Sequence, residues 1–208
     1  ARVVIYDRIT VTKGSYPVTW AAHSWAEAKV QGPVVRVSAG KSAATMTTLT
    51  PPGVTATLVN EPHAKKNDGA WYNNDVADGM KSIRIEVASP TGQTERRFLH
   101  AIVVSAGEDK PVVPTRIDGA GVEGAAIDDE AYVFTTGKPH TEAVAVSYKA
   151  PAPAIRHLIV GLAPGGKYGI SIAKEGADCK VSLAPGGASS ASASGTLTID
   201  SHGCVLGK

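Results

Sequence analysis

The stretch SIRIEVAS, residues 82–89, alternates without a slip: Ile83, Ile85 and Val87 fall on one face, Ser82, Arg84 and Glu86 on the other. Successive side chains of a strand point to opposite faces, so the pattern describes a strand with one face buried and one solvated. Similar short strand-like runs recur along the chain. They are RVVIYDRITV (2–11), PVVRVS (33–38), TMTTLT (45–50), VTATLV (54–59), RFLHAIVVS (97–105), EAYVFTT (130–136), AVAVSY (143–148), RHLIVGL (156–162), YGISIA (168–173), KVSL (180–183) and GTLTI (195–199). Turn signals punctuate them at short intervals, among them PPG (51–53), SPTGQ (89–93) and PGG (164–166). No segment carries a helical stripe. Short strands with frequent turns and no helix predict an all-β protein, an antiparallel β-sandwich.

The chain has 208 residues, enough for one large sandwich or two small domains with proper cores. The charged, proline-bearing stretch GEDKPVVPT (107–115) follows a strong strand and is the best boundary, which predicts domains 1–110 and 111–208. APAPAI (150–155) reads as a second stiff connector, and GGASSASASG (186–195) as a solvated, mobile loop of small residues. A net charge of +2 argues against nucleic acid or an acidic membrane surface as a partner held by bulk attraction. No apolar run approaches the roughly 20 residues of a membrane span. The sequence opens directly on a strand with no signal-peptide pattern, as expected of a processed or truncated piece.

Chemical motifs are few. GLAPGGK (161–167) has the glycine and lysine spacing of a phosphate-binding loop, but Tyr168 stands where a hydroxyl for magnesium is needed, and a strand follows where a helix is required. The better reading is a turn with Tyr168 packed back over it, as at sandwich corners. The six histidines, at 23, 63, 100, 140, 157 and 202, form no metal-binding pair in sequence, and no motif calls for a metal or a cofactor. No serine sits in a nucleophile elbow. IDDE (127–130) reads as a solvated turn. Asp7 shares a face with Val3, Ile5, Ile9 and Val11 and needs a partner there. Cys179 and Cys204 flank two late strand candidates: they form either a disulfide, which implies an oxidising compartment, or two buried thiols.

The densest recognition signal is EPHAKKNDGAWYNND (61–75). Lys65 and Lys66 suit an acidic sugar, and Trp71 and Tyr72 offer flat faces for ring stacking. The plainer alternative is a long surface loop anchored by one buried tryptophan. In TWAAHSW (19–25), Trp20 and Trp25 are an odd number of residues apart, so a regular strand turns them opposite ways, one into the core and one between sheet and neighbour.

Several stretches taken in order resemble the β-sheet region of the heparinase II/III-like polysaccharide lyases. They are VVIYDRIT (3–10), TWAAHS (19–24), VQGP (30–33), ATMTTLTPPGVTATLV (44–59), RRFLHAIVVS (96–105) and GVEGAAIDDEAYVF (121–134). The resemblance rests on order and pattern, without a single diagnostic motif. It implies a supersandwich-like fold with a smaller C-terminal β-sandwich portion. It also implies a secreted or periplasmic protein and an acidic polysaccharide as partner. In that family, uronic-acid chains are cleaved by β-elimination, with most proton-transfer groups on an N-terminal helical toroid. A metal motif stands at the start of the family's sheet domain, ahead of where this sequence begins. The resemblance therefore assigns no catalytic residue here. His23 and His100 fall where it suggests sheet packing, and a helical catalytic domain or chain becomes an expected partner. The alternative is a carbohydrate-binding or adhesion module without a catalytic partner; a third reading is an Ig-like spacer.

Overall fold

The computed structural model describes residues 1–60, 83–106, 112–137 and 140–207. Every regular element among them is a strand, and none is a helix able to cross a membrane. Contacts divide the chain into two compact units, Ala1–Pro111 and Val112–Lys208.

The first unit holds β1 (Arg2–Thr10), β2 (Thr19–Ser24), β3 (Glu27–Gln31), β4 (Val34–Ala39), β5 (Ser42–Thr50), β6 (Thr57–Asn60), β7 (Ile83–Ala88) and β8 (Glu95–Ala106). A five-stranded antiparallel sheet, ordered β1-β8-β5-β4-β3, faces a three-stranded one, ordered β2-β7-β6. The alternation of SIRIEVAS is realised in β7: Ile85 and Val87 are buried beside Val35, Met46, Ala56 and Phe98, and Ile83 packs on the same cluster. Arg84 and Glu86 face outward and bond to each other. Between β3 and β4 the chain reverses in two residues, with Gly32 at φ 57°, a conformation a side chain disfavours. VTATLV gives a shorter strand than its pattern predicts. Val54–Ala56 leave the ladder, and the Ala56 amide donates instead to the Gly32 carbonyl.

The second unit holds β9 (Thr115–Ala120), β10 (Val122–Ile127), β11 (Glu130–Thr135), β12 (Val146–Pro151), β13 (Arg156–Val160), β14 (Lys167–Glu175), β15 (Asp178–Pro185), β16 (Ser189–Ser190), β17 (Thr196–His202) and β18 (Val205–Leu206). They form one sheet, ordered β16-β14-β15-β12-β9-β10-β11-β13-β17-β18. The sheet curls on itself, so that Tyr148, Val181 and Leu183 from one half share a core with Val133, Ile159, Leu197 and Ile199 from the other. Closure of this kind resolves the problem of a long open sheet with an apolar face.

One pairing departs from the antiparallel expectation: β11 and β13 run parallel. The intervening β12 crosses to the far side of the sheet to pair with β9 and β15, so the chain returns beside β11 in the same direction. GGASSASASG is also more ordered than its composition predicts. It contributes β16, buries Ala191, and ties its serines together: Ser192 Oγ accepts from the amides of Ser194 and Thr196. IDDE is the β10–β11 turn, with Asp128 at φ 54° and both aspartates exposed.

Cys179 of β15 and Cys204 of the β17–β18 turn form a disulfide. The bond joins strands from opposite halves of the curled sheet. Closing a separation of 25 residues restricts the unfolded chain, so Cys204→Ser is expected to cost about 3 kcal/mol. Urea unfolding, with hydrogen exchange read at the β15 and β17 amides, measures this; unchanged protection would mean the bond adds nothing to closure.

Candidate functional site

The partner that Asp7 requires is Trp20. The indole Nε1 donates to Asp7 Oδ2 at 3.0 Å, linking β1 to β2 across the gap between the sheets. Trp20 in turn lies against His100 of β8, with ring centroids 3.9 Å apart, and the Phe98 ring is nearly parallel to the imidazole at 6.1 Å. His100 Nδ1 meets Thr48 Oγ1 at 3.1 Å, and among the described residues no partner reaches Nε2. The imidazole is fully enclosed, and burial pushes its pKa down to about 4. It is neutral at physiological pH and has no path to a substrate. Its chemistry is packing, which agrees with the sheet-packing role suggested for it.

The second unit contains a comparable enclosed imidazole. Ser201 Oγ donates to the Ala154 carbonyl, so it accepts from His157 Nε2 at 3.2 Å, and His157 Nδ1 then accepts the Tyr148 hydroxyl at 3.1 Å. The hydrogen-bond directions thus select the tautomer. Burial lowers the His157 pKa, against smaller opposing effects of the Ala154 carbonyl and Asp200, and raises that of Tyr148. A Ser–His–Tyr arrangement of this kind resembles a nucleophilic triad only on paper. All three residues are buried, and the serine proton is committed to a backbone carbonyl.

Tyr168 is fully buried, and its hydroxyl accepts the Ala163 amide at 3.3 Å. GLAPGGK is therefore a strand-to-strand turn covered by its tyrosine, and β14 follows it. Among the described residues no three His, Cys, Asp or Glu side chains converge as a metal site.

The outer face of β2-β7-β6 carries accessible polar groups. His23 is exposed there, not packed as the resemblance suggests, and stands directly across from Arg84. Arg84 Nε donates to Glu86 Oε1 at 2.7 Å. Trp25 falls one residue past the end of β2 and is 65% exposed, so it is not inserted between sheet and neighbour. Strand alternation located Trp20 but could not locate a residue held by a turn. A short side chain–backbone motif was the available signal: Ser24 Oγ accepts the Ala26 amide at 3.1 Å, as serines do at chain reversals. Lys65, Lys66, Trp71 and Tyr72 lie outside the described residues. The segment that bears them leaves β6 at Asn60 and rejoins at Ile83, whose cross-strand partner is Ser24.

No family model and no curated protein matches the chain.

Both enclosed histidines have folded pKa values below the ordinary 6.5, so the unfolded chain takes up protons at higher pH than the folded one. The stability conferred by their neutral forms is complete above about pH 6.5 and is lost as pH falls through the folded values. Urea unfolding is expected to show a loss on the order of 3 kcal/mol from His100 alone between about pH 6.5 and pH 4. The slope in this window should flatten in His100→Gln, measured at temperatures where that variant remains folded. A wild-type stability indifferent to pH across that interval would contradict the enclosure described for both rings.

Proposed function

We propose that this chain is the C-terminal β-sandwich portion or a subunit of a heparinase II/III-like polysaccharide lyase, acting outside the cytoplasm on uronic-acid-containing polysaccharides. On this reading it forms one wall of the substrate cleft. The groups that take the proton alpha to the carboxylate and protonate the leaving oxygen belong to a helical domain or chain outside this sequence.

The observation that carries the proposal is one of placement. The stretches that resemble the family fall on strands and their turns: VVIYDRIT in β1, TWAAHS in β2, VQGP at the β3–β4 reversal, ATMTTLTPPGVTATLV over β5 and β6, RRFLHAIVVS in β8 and GVEGAAIDDEAYVF across β10 and β11. His100 and His157 are committed to packing, which fits a scaffold role. The disulfide is compatible with an oxidising compartment. Lys65 and Lys66 are assigned to the carboxylates of the polymer, Trp71 and Tyr72 to its rings.

The exposed Trp25 also suits the second reading, a carbohydrate-binding or adhesion module that works without a catalytic partner. The two share a sugar surface and differ in whether a helical partner completes an active site.

Two measurements test the proposal. With the 208-residue chain as the only protein, an assay for the unsaturated uronate product is expected to show no turnover; sustained turnover would refute the scaffold role. Calorimetric titration with an oligouronate is expected to show roughly tenfold weaker binding for the Lys65→Ala, Lys66→Ala double variant, with the difference shrinking at high salt. Equal affinity in both proteins would remove the two lysines from the site.

A further inference from the structure

We propose that Arg96 of β8 is a binding site for a small inorganic oxyanion such as sulfate, enclosed where the β1–β2 and β7–β8 connections meet at the end of the first unit's core. The site is independent of the sugar-handling reading given above.

Strand alternation turns Arg96 inward. The β1–β8 ladder runs without a shift, and Arg96 stands two residues before Phe98, which lies in the core. Its cross-strand partner is Ile9, which packs on the same core. Only 3% of Arg96 is exposed, although a guanidinium keeps its charge at any physiological pH. A buried charge without a partner is so unfavourable that folded proteins pair it or satisfy it with hydrogen bonds.

The described residues meet only part of that need. Nη2 donates to the Gly14 carbonyl at 2.6 Å, while the enclosed Nε and Nη1 meet no acceptor among the described residues. The Gly14 carbonyl is itself shared, because it also accepts the Gly92 amide at 2.9 Å. It occupies a single hydrogen of Nη2, and neither Nε nor Nη1 joins in. One complete donor edge of the rigid fork therefore stays available, either Nε with Nη2 or Nη1 with Nη2. Such an edge matches a pair of oxygens on one anion.

The adjoining sequence offers no carboxylate for that edge. The β1–β2 connection reads VTKGSYPV (11–18) and the β7–β8 connection SPTGQT (89–94); neither holds Asp or Glu, and the first carries Lys13. Glu95 is adjacent in sequence but lies on the opposite, exposed face of β8. Asp7, across from Phe98 on the inward face, accepts the Trp20 indole instead. The two connections are also joined to each other, by the Val11 amide to the Thr94 carbonyl and the Ser89 amide to the Val18 carbonyl. Enclosure of this kind excludes a polymer and limits the occupant to a free ion of few atoms.

The test is thermal unfolding of the full chain in Tris chloride, with sulfate raised from zero to about 20 mM at constant ionic strength, too little for general salting effects. An ion held only by the folded form raises the midpoint, here by about 5 °C. Arg96→Met removes charge and fork together, and its midpoint is expected to ignore sulfate. Arg96→Lys keeps the charge without the fork and should retain less than about half of the rise. A wild-type midpoint indifferent to sulfate, or an equal rise in Arg96→Met, overturns the site. Should the variants fail to fold, the wild type decides alone. Its Arg96 Nε–H resonance, followed by NMR, is expected to shift and saturate with sulfate, and a resonance that does not move overturns the proposal.

Discussion

A ring nitrogen enclosed between two β-sheets cannot carry a proton cheaply, because no solvent remains to stabilise the charge. Each unit of this protein is organised around such a ring. His100 brings together strands of both sheets in the first unit, through Trp20 on one side and Thr48 on the other. His157 bridges the curled sheet of the second, through Tyr148 from one half and Ser201 from the other. The apolar residues around them supply most of the driving force, but they lack direction. A hydrogen-bonded imidazole does not, and it sets which strand faces which.

Much of the fold was legible because most strands have one solvated face. SIRIEVAS, RVVIYDRITV and GTLTI announce themselves by alternation, and each is a strand; Ile85, Val87, Leu197 and Ile199 point inward, whereas in β1 Ile9 packs on the core and Val3 is exposed. Segment 122–127 carries no strand signal of its own, for the opposite reason. In VEGAAI all six residues are buried, and a strand covered on both faces has no alternation to read. EAKVQ and TRIDGA carry too few apolar residues for a pattern, and their strand character comes from neighbours. The parallel β11–β13 pairing was beyond the sequence as well, since it depends on where the intervening strand goes.

The site was legible only in part. The need of Asp7 for a partner follows from the cost of a half-buried carboxylate among apolar residues, and Trp20 meets it. Which tryptophan would be exposed did not follow from parity, because Trp25 stands on a turn, where parity stops applying. His23 and His100, both in strands, differ completely in environment: one faces water across from Arg84, the other is sealed. Nothing in their local sequence separates them, since what differs is which face of which sheet each lies on.

The parallel contact between β11 and β13 has a consequence for how the second unit assembles. A hairpin zips from its turn, but these two strands share no turn: Glu130 pairs with Arg156 across a loop that contains all of β12. Such non-local pairing carries a larger loop-closure cost than a hairpin does, which favours slower folding than local contacts would.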